Sequence, residues 1–452
     1  MLTLLDPVDR QIQDFVNFLK ANNKWLADLL VFSHRTKRKK KFTYIDPLNE
    51  KKTPVNFLKL ADGSTYLVIR SILLGEGSVS KVYPLIPIVF VHDQNRNLVA
   101  KLQFSKLLAV RCNVTSTTTE VNEAEIQAYK IATGQKYPLP SIHTSKRAWF
   151  FPRLKEFFPM AYIPVMDLDE FIEKTSPNYI DLLTAHSVTR IEMEVKLIDL
   201  LFIAFEIIKS LAEFHLNGLI HRDLKLNNIR IYCEDEKFKI RIIDFNYMVK
   251  KDYLLPRNHL WSTPLYHDIQ DSLNIHTDRE IKPETDIYSL GIILIELFTQ
   301  EIIPEKGDYA DFAYGFYERR RHQESLQAFA DFKINMLIKS RNYNQLTSDC
   351  SPQNKNLLTN TILSACNNHL EARPNIEMLL HAFGQLLDYS PSEINGIIKS
   401  LQTSTYKLPA NNLSDQNFKF SPEHYEIARA VLHRYAVKRA YWADTYIRTM
   451  YG

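Results

Sequence analysis

His221-Arg222-Asp223-Leu224-Lys225-Leu226-Asn227-Asn228 is followed, sixteen residues beyond its last member, by Asp244-Phe245-Asn246 at the end of a short apolar run. Phosphoryl transfer is mostly positioning plus electrostatics, and it needs acidic and amide oxygens at fixed places. Asp223 can orient an incoming hydroxyl and accept its proton. Asn228 and Asp244 can hold the Mg²⁺ ions that bridge the phosphates of ATP. Four matching residues would say little. Eight contiguous ones, with an Asp-Phe pair at this distance, leave a chance helix–turn–strand as the weaker alternative.

The string resembles the catalytic loop of the eukaryotic-type protein kinases, and other parts of that family's pattern follow in order. Thr65 to Leu74 reads as a strand rich in Val, Ile and Leu, and Gly75-Glu76-Gly77-Ser78-Val79-Ser80-Lys81-Val82 comes directly after it. Gly75 and Gly77 would let the backbone approach phosphates, with Val82 beside the nucleotide; Ser80 stands where a third glycine is usual. Leu98-Val99-Ala100-Lys101 resembles the third-strand motif whose lysine grips the α- and β-phosphates. A helix with Val121, Ala124, Ala128 and Ala132 at three-four spacing should supply the carboxylate that pairs with Lys101. Glu125 is favoured over Glu123, because Ala128 and Tyr129 match the apolar positions that follow this glutamate in the family.

Phe158 to Ile172 looks like the strand, hinge and helix of the adenine site. By that resemblance Met160 lies at the back of the pocket, the backbones of Ala161 and Ile163 meet the adenine edge, and Asp167 reaches the ribose. Leu197, Leu201, Ala204, Ile208, Leu211 and His215 form the apolar stripe of a long helix that Gly218 ends. The resemblance makes His221 a packing residue under Phe245. It makes Lys225 the cation that neutralises the transferring phosphate in serine/threonine kinases. Trp261-Ser262-Thr263-Pro264-Leu265-Tyr266 resembles the substrate-docking loop, with Thr263 contacting Asp223 and Lys225. Asp286 would hold the backbone of the catalytic loop.

Three departures stand out. Asn246 replaces a glycine and should tolerate positive φ. Arg230 falls where an apolar residue lies under the adenine; it could stack on the ring or turn aside, unless the alignment is one residue out. Gln270 falls where a glutamate pairs with an arginine, here Arg373, and could offer only a neutral hydrogen bond. Arg222 beside Asp223 raises a phosphorylation switch at Tyr247, Tyr253, Ser262 or Thr263 as one expectation, and constitutive activity as the other.

The resemblance covers about residues 65–387 and implies an α+β, two-lobed protein-kinase-like fold. A small antiparallel β-sheet lobe (about 65–160) and a larger mainly helical lobe (about 165–387) would hold ATP between them. Residues 1–64 read as a helical extension with a basic linker, and 388–452 as a helical extension with an aromatic stripe from Ile427 to Tyr446. The missing glycines resemble the eukaryotic-like kinases of intracellular bacteria. A net charge of +4 implies no specific nucleic-acid partner. Arg35 to Lys41 is a basic block that could touch anionic membrane, act as a nuclear address, dock an acidic substrate, or serve as a solvated linker. The four cysteines, at 112, 233, 350 and 366, show no metal-like pairing and suggest reduced thiols. With no secretory start and no apolar run long enough to span a bilayer, a cytoplasmic protein is expected.

The expected chemistry is transfer of the γ-phosphoryl group of ATP, with Mg²⁺, to Ser or Thr hydroxyls of protein substrates. A partner-binding scaffold without turnover, a small-molecule phosphotransferase and a nucleotidyl transferase are the alternatives. Oligomeric state is not legible.

Overall fold

The computed structural model describes residues 42–45, 52–59, 65–69, 75–76, 80–103, 108–113, 123–133, 157–161, 166–175, 196–234, 237–255, 263–274, 277–304 and 326–403, with a few isolated positions besides. It divides into two compact units, 1–121 with 135–164 and 122–134 with 165–452. Residues 1–30 of the N-terminal extension, Arg35–Lys41 and the aromatic stripe from Ile427 to Tyr446 lie outside the described residues.

The first unit is one antiparallel sheet built around an unusually long strand. Its strands are β1 (Phe42–Ile45), β2 (Lys52–Lys59), β3 (Thr65–Ile69), β4 (Gly75–Glu76), β5 (Ser80–His92), β6 (Leu98–Leu102), β7 (Leu108–Asn113) and β8 (Phe157–Ala161), in the order β1-β2-β3-β5-β7-β8. β5 is rich in Val and Ile, which suit a pleated, half-buried surface. It pairs with β3 and β4 along one edge, and with β7 and then β6 along the other. Asp93 turns β5 into β6: its Oδ1 accepts from the backbone N–H of Asn95 at 2.9 Å and of Asn97 at 2.7 Å. Leu67, Val68, Leu85, Ile86, Ile88 and Ala100 are buried. The sheet reaches further back than the sequence suggested, since β1 and β2 fall in the stretch read as helix and linker. Val55 and Phe57 flank the polar Asn56 there, an alternation too short to announce a strand.

The second unit is mainly helical. It contains α1 (Glu123–Thr133), β9 (Met166–Asp167), α2 (Leu168–Thr175), α3 (Leu197–His215), β10 (Leu219–Ile220), β11 (Ile229–Glu234), β12 (Lys237–Ile242), β13 (Val249–Lys250), β14 (Leu254–Leu255), α4 (Ile269–Leu273), β15 (Arg279–Glu280), α5 (Glu284–Thr299), α6 (Leu326–Ile338), α7 (Arg341–Leu346), α8 (Pro352–Ala365), α9 (Ile376–Leu386) and α10 (Pro391–Thr403). α3 and α5 are buried on nearly every face, which is why their sequences are apolar all round. Each fully buried Leu, Ile or Phe contributes roughly 1.5–3 kcal/mol before chain entropy is subtracted. α5 meets α8 so closely that a Cβ on Gly291 would fall 2.5 Å from the Cys366 backbone nitrogen. α9 packs on α3, and α10 covers both. Ile394 of α10 occupies the space a Cβ on Gly384 would need, and Tyr389 stacks on Phe205 at 5.4 Å. The first helix of the C-terminal extension thus docks on its own parent unit. Among the described residues no helix is long and apolar enough to cross a membrane.

Candidate phosphoryl-transfer site

α3 delivers the chain to the catalytic loop. Gly218 ends the helix at φ +73°, and β10 pairs with β13 to fix where the loop begins. Asp286, at the start of α5, anchors the loop from below. It accepts from the backbone N–H groups of His221 and Arg222, both at 2.7 Å, and bonds His215 Nε2 at 2.8 Å. Burial pushes its carboxyl upward in pKa, but the His215 bond and the field of His215 and His221 outweigh that and leave it below the ordinary range. His221 Nε2 donates to the Ile243 carbonyl at 3.0 Å, while Nδ1 accepts from the Asp223 N–H. The imidazole is fully buried and meets Phe245 edge-on. It is a packing residue, as the sequence led us to expect.

Asp223 is the hub. Its Oδ1 accepts from the Thr263 N–H at 3.0 Å and the Thr263 hydroxyl at 2.8 Å. Its Oδ2 accepts from Lys225 Nζ at 2.9 Å, and the same Nζ donates to Thr263 Oγ1 at 2.9 Å. Asn228 Nδ2 donates to the Asp223 carbonyl at 2.7 Å and only weakly to Oδ2, at 3.3 Å. A carboxylate has about four lone-pair sites, so the fourth is the one held least firmly.

The β11–β12 hairpin brings Asp244 beside Asn228. Ile229 pairs with Ile242, and the Ile243 N–H donates to the Asn228 carbonyl at 2.9 Å. Asp244 is half-buried, at φ +64°; Arg222 is at φ +70°. Such backbone is costly for a residue with a Cβ and gathers at functional sites. The strain expected at Asn246 falls instead two residues earlier. Among the described residues nothing hydrogen-bonds the Asp244 carboxylate, and the amide donor of Asn228 is spent on Asp223, which leaves its Oδ1 as the oxygen available to a metal. One carboxylate and one amide oxygen suit Mg²⁺, which takes its other ligands from water and phosphates.

Arg373 finds an acid, Asp268, two residues before the Gln270 that the family pattern suggested. Its Nη1 and Nη2 each donate to Asp268, at 2.7 Å, with both side chains fully buried. This is a bidentate, charge-assisted pair. Gln270 turns to the Asn368 carbonyl at 2.8 Å. Asp268 also caps α4 by accepting from the Gln270 N–H.

Arg230 turns aside. Arg230 and Asp167 are register partners on β11 and β9, and their side chains form an ion pair. The carboxylate expected at the ribose is therefore engaged by the guanidinium expected near the adenine. Glu125 is buried on α1, which packs against α3 and β13. In the first unit Gly75 pairs with Val82, and Met160 and Ala161 lie on β8. Gly77 and Ile163 lie outside the described residues. Lys101 is exposed on β6 and pairs with Val89, seven positions along β5 from Val82. At about 3.3 Å per residue that is roughly 23 Å from the glycine hairpin, too far for a lysine to reach. The register thus separates Lys101 from the glycine hairpin with which it was expected to share the phosphates.

Residues 166–382 match the family model described as protein kinase domain. The chain is 26% identical over 235 residues to a probable serine/threonine-protein kinase PLK of Dictyostelium discoideum, covering 50% of this chain and 20% of that one. It is 33% identical over 95 residues to the serine/threonine-protein kinase PAK mbt of Drosophila melanogaster, covering 21% and 14%. It is 26% identical over 99 residues to a leaf rust 10 disease-resistance locus receptor-like protein kinase of Arabidopsis thaliana, covering 22% and 14%. The chain thus spans a fifth or less of the length of these relatives. With a small antiparallel-sheet unit, a larger mainly helical unit and this match over 166–382, the chain has a protein-kinase-like fold.

Proposed function

We propose that the protein transfers the γ-phosphoryl group of ATP, with Mg²⁺, to Ser or Thr hydroxyls of protein substrates. The observation that carries this reading is Asp223 held between Thr263 and Lys225. A substrate hydroxyl would replace the weak Asn228 contact at Asp223 Oδ2. That oxygen then takes the hydroxyl proton as the new oxygen–phosphorus bond forms and the bond from the γ-phosphorus to the bridging β–γ oxygen breaks, with ADP leaving. Lys225, already in contact with Oδ2, places a positive charge where the transferring group gains negative charge. Mg²⁺ held by Asn228 and Asp244, when bound, would neutralise the phosphates. Thr263 keeps Asp223 and Lys225 in one geometry. The names of the relatives, each a protein kinase, support a protein acceptor.

The test is ATP labelled separately at the γ- and α-phosphates, given to wild type and Asp223→Ala with Mg²⁺ and protein acceptors. Label from the γ position on Ser or Thr, lost in the variant, is the expected result. Label from the α position would make the protein a nucleotidyl transferase. No transfer to any acceptor, cell extract included, would overturn the reading in favour of a scaffold.

A further inference from the structure

The turn that follows α8 gathers side chains from three segments on three successive carbonyls. The Cys366 carbonyl accepts from Lys333 Nζ of α6 at 2.5 Å. The Asn367 carbonyl accepts from Arg373 Nε at 2.8 Å, and the Asn368 carbonyl from Gln270 Nε2 of α4 at 2.8 Å. Lys333 donates further to Asn368 Oδ1 at 2.6 Å and to the Tyr288 hydroxyl at 3.3 Å. Asn368 Nδ2 returns to the Leu326 carbonyl at the start of α6. The Tyr288 ring lies against both cations, 4.6 Å from Lys333 Nζ and 4.9 Å from Arg373 Cζ. Among the described residues the Lys333 ammonium hydrogen-bonds only neutral oxygens, although its side chain is buried. A buried cation without a bonded acid is costly, and an apolar side chain would fill the space at less cost. What Lys333 supplies, and an apolar residue could not, is three donors directed at one turn.

That turn leads to the catalytic hub. Arg373 and Gln270, which hold its next two carbonyls, also fix one end of the 263–270 loop, Arg373 through its bidentate bond to Asp268. The other end of the loop is Thr263, bonded to Asp223 and Lys225. A displaced turn would shift the acceptors of Arg373 and Gln270 together. We propose that Lys333 is a positioning residue for phosphoryl transfer, fixing the 263–270 loop from α6 through the turn at 366–368. This rests on the phosphotransfer reading of the chain.

The test uses the full chain at pH 7 and two variants of α6. Lys333→Met removes the three donors. Leu337→Ala, at a buried position one turn along, weakens the packing of α6 without touching the turn. Hydrogen exchange read by mass spectrometry should be about tenfold faster across 263–270 in Lys333→Met, with α3 unchanged. Leu337→Ala should leave 263–270 as in wild type. With casein as acceptor, or cell-extract protein where casein is not used, Lys333→Met should lower kcat/KM for the acceptor by about fivefold or more and move KM for ATP by less than about twofold. Wild-type exchange across 263–270 in Lys333→Met would overturn the assignment. So would a loosened loop with unchanged transfer, or equal effects in Leu337→Ala, which would make Lys333 a packing residue only. If wild type transfers to no acceptor, the phosphotransfer reading falls and the positioning role with it, whatever the exchange shows. Should Lys333→Met fail to fold, Lys333→Gln decides, since it is neutral, one bond shorter and has two donors for three acceptors. A loosened loop with slower transfer supports the assignment there, and wild-type values for both overturn it.

Discussion

Thr263 shows how one hydroxyl can organise a catalytic centre. It donates to Asp223 and accepts from Lys225, so its removal takes one hydrogen bond from each. Thr263→Val keeps the shape and deletes the hydroxyl. We expect γ-phosphoryl transfer to fall by about tenfold or more, with KM for ATP little changed, and Thr263→Ser to recover most of the rate. Steady-state kinetics on the three proteins would check it; an unchanged kcat in the valine variant would remove Thr263 from the mechanism. Asp286 is the counterpart below the loop. Replacing it with alanine strands two buried backbone N–H groups at once. An unsatisfied buried donor costs about 1–3 kcal/mol. Chemical denaturation of Asp286→Ala should therefore show a loss of about 2–6 kcal/mol, whereas a loss below about 1 kcal/mol would mean that the loop is held by something else.

Helix α4 and the Asp268–Arg373 pair decide a question at the scale of elements. The spacing in the sequence points to Gln270 as a weakened partner of Arg373, which makes Gln270→Glu look like a repair. The geometry predicts the opposite. Arg373 already holds Asp268 bidentately, and Gln270 donates to the Asn368 carbonyl. A glutamate could not donate there, and would bring a second carboxylate towards Asp268. Gln270→Glu should lower stability by about 1–2 kcal/mol, read as a fall in the thermal midpoint; a rise would count against the pairing. Asp268→Ala should cost about 3–5 kcal/mol, because it leaves a buried guanidinium unpaired. What the sequence made legible and what it concealed divide along the same line. The catalytic loop is contiguous, so His221, Asp223, Lys225, Asn228 and Asp286 could be read from motif and order, and the apolar run of α3 announced its own burial. Asp268 and Arg373 meet across 105 positions, and an acid two residues from its customary place gives no local signal. Lys101 lies opposite Val89, far along β5 from the glycine hairpin, and register is a property of paired strands that neither strand carries alone. β1 and β2 escaped because short alternating segments look much like linkers.

Two buried ionisable groups in the helical unit contribute opposite responses to pH. Burial pushes Glu296 up to about 8, although the Ile303 N–H and the Tyr266 hydroxyl partly hold it down. Burial pulls Lys333 down to about 8, with Tyr288, Asn368 and the Cys366 carbonyl around its Nζ. The signs are opposite. Between an unfolded value of 4.5 and about 8, the folded chain keeps a proton on Glu296 that the unfolded chain has released, so stability falls as pH rises. Between about 8 and an unfolded value of 10.5, the unfolded chain keeps a proton that Lys333 has lost, so stability rises with pH. Together these two groups make a trough near pH 8, with walls on the order of a few kcal/mol. Glu296→Gln can still accept from Ile303 and donate to Tyr266, so it should remove the acid wall while leaving the alkaline one. Lys333→Met should do the reverse. Denaturation of each variant against wild type at pH 5, 6.5, 8 and 9.5 isolates each contribution as a difference, free of every other titrating group. If the difference for Glu296→Gln were flat from pH 5 to 8, Glu296 would have to be charged in its buried site, and Tyr266 and the Ile303 N–H would then be enough to hold a carboxylate out of water.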